Sequence, residues 1–440
     1  MKRQKRNIVI VGAGSAAFTI GLIADLIAHG GEWNAGLVDI NEDALETACL
    51  LAGRMVKAKN APITIQGSAD RKELFPRADA IVTTIAVGGR RAWEKDVLIP
   101  RKYGIFQPVG DTIMPGGISR ALRLIPQMVG IAGDAAALAP QAHFFNYSNP
   151  MAAICRAVRK ATPVRVVGLC HGVMYAEQYL ANFINVPFGR CDFTAVGINH
   201  LTWILGFRAD GKDAWPMVKK RNEELKAADK PLGDDPDNQL SWELFESFGA
   251  FPAVLDRHVA EFFPQFHRTG GHYGKKLGVD RFSFEDTVER GDKGFARMAE
   301  YAYGKIPLDE FMFHKSAGEY EQVVCILDAL EKDDGRVFSV IIPNAGQVSN
   351  LPADFVLECP ARISRRGISP LEIGEIPTGI RATLEKAFLT IELTVEAALE
   401  RDRKKFVQAL IVDGSVDSEK DANALADELI DAHREYLPGW

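Results

Sequence analysis

A thiol and an imidazole stand side by side at Cys170 and His171, in the stretch VVGLCHGV (166–173). A second imidazole, His200, follows in GINHLTW (197–203). Cysteine thiolate and neutral histidine both ligate divalent metals, but Cys170 and His200 are 30 residues apart and form no compact zinc signature. An isolated cysteine is more often a small buried hydrophobe. A different chemistry is signalled by Gly12-Ala13-Gly14-Ser15-Ala16-Ala17, a G-x-G with alanine in the third small position. Small residues there let backbone approach a pyrophosphate, and the following helix start offers free N–H groups and the positive end of its dipole. Asp39 lies 25 residues after Gly14, where a ribose hydroxyl partner is expected, and an acid there favours NAD over NADP. Gly12, Gly14, Ser15, Ala16 and Asp39 are therefore the candidate nucleotide residues.

Two further stretches offer polar groups for a substrate. GGRRAWEKDVLIPRKYGIFQPVGDTIMPGGISRALRLIP (88–126) reads as a long glycine-rich, charged loop, in which Asp111 and Arg120 are candidates for substrate hydroxyls. In FNYSNPMA (145–152), Asn149 precedes a proline, which restricts it to extended geometry at a strand end. For each of these residues a purely structural role competes on even terms.

The elements that must position these groups alternate. RNIVIV (6–11), AGLVDI (35–40), ITIQGSAD, ADAIVTTIA (78–86), QAHFFNYS (141–148) and VRVVGLC (164–170) read as strands. A helix opens at GAGSAAF and runs to about Leu26. NEDALETACLLAGRMVKA (41–58) is an amphipathic helix with Asn41 as N-cap, and another helix covers about 117–139. Strand–helix alternation implies βαβ units in a mostly parallel, doubly wound Rossmann-like sheet, the architecture of lactate and malate dehydrogenases. The texture changes after residue 195. The stretch 224–239 is polar and turn-rich, and helices then dominate, with a long helical pattern over 381–414 broken near Asp402. The expected division is a nucleotide-binding domain over 1–195 and a mixed α+β domain over 196–440, serving substrate, metal and oligomerisation.

Composition bounds the partners. The 440 residues carry a formal net charge of -6, with no basic surplus for nucleic acid or anionic lipid. No run of about 18 apolar residues predicts a membrane span. The N-terminal MKRQKRNIVIVGAG reads as a first strand rather than a signal peptide. Six scattered cysteines predict reduced thiols and a cytoplasmic address.

Taken together, the GAGS start, GDTIMPGGISRALRLIP, FNYSNPMA, GLCHGV, GINHLTW, DRHVAEFFP (256–264), NLPADFVLECP (350–360) and ELTVEAALERD (392–402) resemble family 4 of the glycoside hydrolases, which is NAD-dependent and metal-dependent. The similar features span nearly the whole chain. The resemblance implies that Cys170 and His200 ligate a divalent metal, usually manganese, and that Asn149 touches nearby sugar hydroxyls. His171 stands where some members keep an aspartate as general acid, a role an imidazole can take at neutral pH. Many members use a tyrosine as base; here DRHVAEFFP offers Asp256. The tetrad Cys170-His171-Gly172-Val173 resembles that of members acting on α-galacturonides. Close variants go with α-glucuronides, α-glucosides and α-galactosides, and a different residue after the cysteine marks the phospho-glycosidases.

The implied chemistry is oxidation of sugar carbon 3 by NAD+, loss of the carbon 2 proton beside the metal, elimination of the glycosidic oxygen, water addition and return of the hydride. A uronate would need a cation, for which Arg90, Arg91, Arg120 and Arg257 are available. A homodimer or homotetramer is implied as well. The competing readings are a lactate/malate-type dehydrogenase, which has no use for the Cys170/His200 pair, and a non-catalytic NAD-binding regulator.

Overall fold

The computed structural model describes residues 5–16, 18–313 and 322–440. Its strands, in chain order, are β1 (Arg6–Val11), β2 (Trp33–Val38), β3 (Ile63–Ser68), β4 (Ala80–Thr83), β5 (His143–Asn146), β6 (Val167–Gly168), β7 (Cys191–Ile198), β8 (Leu201–Ala209), β9 (Lys212–Asp213), β10 (Phe251–Pro252), β11 (Gly271–His272), β12 (Lys275–Lys276), β13 (Val337–Pro343), β14 (Val356–Ser364) and β15 (Gly367–Pro370). Strands β3-β2-β1-β4-β5-β6 are parallel neighbours, as the βαβ reading predicts. The order reverses between β1 and β4, which sets a switch point above their carboxyl ends. β1 from Ile8 to Val11 and β4 from Ala80 to Val82 are apolar and buried, as in a parallel sheet covered on both faces by helices.

The sheet does not stop at β6. It continues through the antiparallel series β13-β14-β7-β8-β10. The β13–β14 hairpin, from far down the chain, thus lies between β6 and β7.

Several local expectations match. Asn41 caps the helix Glu42–Ala58, its side chain accepting from the Ala44 amide at 3.0 Å. The long C-terminal pattern breaks at Arg401, in left-handed geometry (φ 56°). Asp402 then caps the helix Arg403–Asp413 through the Lys404 amide at 2.7 Å. All six cysteines are free.

Three expectations are corrected. The first helix begins at Thr19, after the glycine turn rather than within it, and extends to His29. The strand read over 164–170 pairs at Val167–Gly168 only. The stretch 88–126 is largely helical: Gly89–Arg101 and Met114–Leu138 flank a short irregular segment, 102–113. Its glycines serve close packing. A Cβ on Gly116 would meet the Gly110 carbonyl oxygen at 2.8 Å, and one on Gly117 would meet that of Thr112 at 2.8 Å. Only glycine lets the first helical turn lie against the segment that carries Asp111.

The helix Met114–Leu138 is long and apolar enough to cross a membrane, but half of that apolar window is buried inside the protein. It is fixed by a buried ion pair. Arg123 donates Nη1 to Asp96 at 2.8 Å, and Ser119 and His433 reach the same carboxylate oxygen at 2.9 and 2.8 Å. Burial pushes the Asp96 carboxyl up, but Arg123 and His433 outweigh it and hold it below the usual range.

Candidate metal and nucleotide site

The glycine turn after β1 is built for a close approach. Gly12 takes φ +93°, and a Cβ there would meet the Thr84 backbone at 2.8 Å. The Gly14 amide donates to Asp39 Oδ2 at 2.8 Å and the Asn41 amide to Oδ1 at 2.9 Å. Asp39 is thereby fixed at the end of β2, each oxygen keeping a lone pair for a ribose hydroxyl. Ser15 Oγ accepts from the Phe18 amide at 3.3 Å, and Ala16 is half-buried in the same turn. Ala17, read as the third small residue, lies outside the described residues. A tight glycine turn leading into a helix, with an acid at the next strand end, fits a dinucleotide.

Beyond the ends of β4, β5 and β7, three donors converge. One ligand atom each from Asp111, His200 and His258 lies within 4.8 Å of the others. His200 sits in the two-residue turn joining β7 to β8, at φ +71°. A left-handed non-glycine residue costs about 1–3 kcal/mol and is characteristic of working sites. Three other such residues border the site: Met114 (φ 58°), Val254 (φ 70°) and Leu255 (φ 60°). For β-branched Val254 this geometry is unusual.

A hydrogen-bonded chain orients the donors. Thr112 Oγ1 donates to Asp111 Oδ1 at 2.7 Å and lies 2.6 Å from His200 Nδ1. With the single hydroxyl proton given to Asp111, Nδ1 of His200 must be the donor, and its Nε2 is left as a bare lone pair. Asn149 Nδ2 donates to Asp111 Oδ2 at 2.9 Å, and Arg120 Nε donates to the Asn149 carbonyl at 2.9 Å. The Asn149–Pro150 peptide is cis. Among the described residues, neither Asn149 Oδ1 nor His258 Nδ1, both buried, has a hydrogen-bond partner.

The electrostatics match a cation. Burial pushes Asp111 up, yet the neighbouring histidines, Arg120 and the Thr112 hydroxyl bring it below the usual carboxylate range. Burial lowers both His200 and His258 and keeps them neutral. One carboxylate and two neutral imidazoles with unshared lone pairs fit a divalent cation with open positions for water and substrate.

The predicted residues fall into three groups. Asp111, Arg120, Asn149 and His200 are brought together, Asp111 as a candidate ligand rather than only a substrate contact. Cys170 lies beside them, outside the triad. Its thiol accepts the Gly172 amide at 3.4 Å, and burial, then Glu358, pushes it up to about 12. His171 is exposed at the start of the helix Gly172–Phe183, close enough for its charge to act on His200 and His258. Asp256 is not brought to the triad. It is fully buried, and it accepts from the Leu240 and Ser241 amides at 2.9 and 2.7 Å and from Ser241 Oγ at 2.6 Å. It thus closes the start of the helix Gln239–Phe248. Burial raises it to about 6 against those donors. Asp256→Ala is expected to cost about 2–3 kcal/mol of stability, read as a lower urea midpoint. A variant with unchanged midpoint and abolished turnover would put the carboxylate in the chemistry instead.

Two residues went unread in DRHVAEFFP. His258 follows Asp256 by two positions and supplies the third donor. Glu261, buried, accepts the Val109 and Gly110 amides at 2.8 and 2.7 Å and so anchors the segment leading into Asp111. The signal for His258 was its place in a motif already singled out; Glu261 offered none, because its partners are backbone amides 151 and 152 residues away.

Comparison with known proteins gives the following. The profile described as Family 4 glycosyl hydrolase matches residues 7–186, and that of the Family 4 glycosyl hydrolase C-terminal domain matches 195–416. An α-galactosidase of Bacillus subtilis (strain 168) is 29% identical over 443 residues, covering 99% of this chain and 100% of its own. An α-galacturonidase of the same strain is 28% identical over 443 residues, covering 96% of each. The solved lplD protein of Bacillus subtilis superposes with a TM-score of 0.87 at 27% identity, over 97% of this chain and 100% of its own. A 6-phospho-α-glucosidase from gut microorganisms, solved with NAD and Mn2+, gives 0.84 at 21% identity over 99% of each chain.

Proposed function

Because the chain belongs to glycosyl hydrolase family 4, we propose that it is an α-galacturonidase that works with NAD+ and a divalent cation, Mn2+ foremost. The observation that carries this reading is the convergence of Asp111, His200 and His258 beside Asn149, on the side of the sheet where the glycine turn opens. A plain dehydrogenase would have no need of such a donor set. The galacturonide assignment draws support from the α-galacturonidase relative and from the Cys170–Val173 tetrad.

When bound, the nicotinamide supplies a reversible hydride acceptor and the cation a Lewis acid. The chain's own residues do the rest. Gly12 and Gly14 give backbone access to the pyrophosphate, and Asp39 receives the ribose. Asp111, His200 and His258 hold the cation, with the Cys170 thiol as a further ligand once its proton is displaced. Thr112 keeps Nε2 of His200 turned out as a ligand. Asn149 Oδ1, which has no partner among the described residues, accepts from a sugar hydroxyl. Arg120 holds the Asn149 backbone and so fixes that carboxamide. His171, exposed at the mouth, delivers a proton to the departing glycosidic oxygen.

The test is turnover of aryl α-galacturonide, α-glucuronide and α-galactoside with NAD+, Mn2+ and a thiol reductant. Cleavage of the galacturonide is expected, abolished by a chelator and restored by Mn2+. In deuterium oxide the released sugar should carry deuterium at carbon 2. Retained protium would rule out elimination, and cleavage of the neutral galactoside alone would rule out the uronide.

A further inference from the structure

We propose that Arg257, assisted by Arg290, is the anion-binding element of this site and receives the carboxylate of the sugar. The proposal rests on the galacturonide reading above. Four arginines are available to such a group, and the structure separates them. Arg90 is paired with Asp292 at 2.5 Å, and Arg91 with Asp292 and with Glu94. Arg120 is held on the Asn149 carbonyl. Arg257 is the remaining one. Its Nη2 donates to Thr287 Oγ1 at 3.1 Å, and its Nε is buried with no hydrogen-bond partner among the described residues.

A second guanidinium converges on the same oxygen. Arg290 Nη2 lies 3.1 Å from Thr287 Oγ1, whose own proton goes to the Ser283 carbonyl at 2.9 Å. The two cations therefore share one neutral acceptor. Among the described residues neither closes an ion pair with a carboxylate. Asp292, two residues from Arg290, is already taken by Arg90 and Arg91. Asp111 and Glu261 are near enough to Arg257 to be felt, but neither pairs with it among the described residues: Asp111 belongs to the donor triad, and Glu261 spends one oxygen on two backbone amides while its other stays buried without a partner there.

Two like charges drawn together around a hydroxyl, one of them with a buried unused N–H, cost energy that an incoming anion recovers. The planar fork of Arg257 suits a carboxylate in bidentate fashion. Its place in the chain ties the anion to the reacting sugar. Arg257 directly precedes His258, a donor of the triad, and its charge acts on both His200 and His258. The anion it would bind is thus presented beside the cation site.

The experiment compares Arg257→Met, Arg257→Lys and Arg290→Met with the parent enzyme, loaded with NAD+ and Mn2+, on aryl α-galacturonide and aryl α-galactoside. The ratio of kcat/KM for the charged over the neutral sugar should fall about 100-fold in Arg257→Met, mostly through KM. The fall should be about tenfold in Arg290→Met and partly recovered in Arg257→Lys. Equal losses on both sugars, or an unchanged ratio, would overturn the proposal. Arg290 lies on the outer part of the helix Phe284–Ala302, so its variant keeps the question open to test if Arg257→Met fails to fold. If the parent enzyme cleaves no uronide, the galacturonide reading fails on its own account. The anion site is then decided by titration calorimetry with free galacturonate and with inorganic phosphate. Binding of either anion that is lost in Arg257→Met upholds the site, and indifference to the substitution rejects it.

Discussion

His258→Ala is expected to lower kcat/KM by about 1000-fold or more at saturating NAD+, with NAD+ affinity unchanged. His258 closes the triad with Asp111 and His200, and its ring centroid lies 4.0 Å from that of His200. Its Nδ1 is buried with no partner among the described residues, and burial lowers its pKa and favours the neutral ring, which leaves one ring nitrogen lone pair free for a ligand. Removing it deletes one donor and opens the site to water, and a Lewis acid held by fewer ligands at the wrong place forfeits several kcal/mol of transition-state stabilisation. The glycine turn and Asp39 are on other elements, which is why nucleotide affinity should stand. Mn2+ affinity, followed by the electron paramagnetic resonance of the free ion, should fall in parallel. A variant that binds Mn2+ as the parent does would show that the cation is held elsewhere, with Cys170 as the first alternative.

Asp96→Ala is expected to cost about 3–5 kcal/mol of folding free energy, the largest stability effect of any single side chain described above. Asp96 and Arg123 are both fully buried, and the substitution leaves a guanidinium without a counter-charge inside the protein. Ser119 and His433 would lose their acceptor at the same time. The check is a urea unfolding curve with an unchanged slope and a lower midpoint. Replacing both partners, Asp96→Ala with Arg123→Met, should recover most of the loss, since what destabilises is the orphaned charge rather than the missing bond. If the double variant is as unstable as the single, packing around Asp96 is what matters.

The parts of this molecule that were legible in its sequence are those fixed by short-range rules. The parallel strands announced themselves as apolar runs, the helix at Glu42 by its Asn41 cap, and the break at Arg401 by Asp402 after it. Asp39 was placed by a spacing that follows from one βαβ unit. Where the reading failed, tertiary contact had overridden local preference. The glycines of 88–126 suggested a loop, but they exist so that a helix can press against its neighbour. Asp256 was read as a candidate base; the three donors from a helix start that hold its carboxylate lie 15 and 16 residues away, outside its motif, and the Asp256→Ala comparison decides its role. His258 needed the fold, since only the turn at His200 and the segment from Thr112 bring its partners within reach.

The hairpin lodged between β6 and β7 acts as a seam. It stitches strands of the first 195 residues to those that carry His200, by backbone hydrogen bonds running across a single sheet. One continuous sheet thus carries both the glycine turn after β1 and the turn that bears His200.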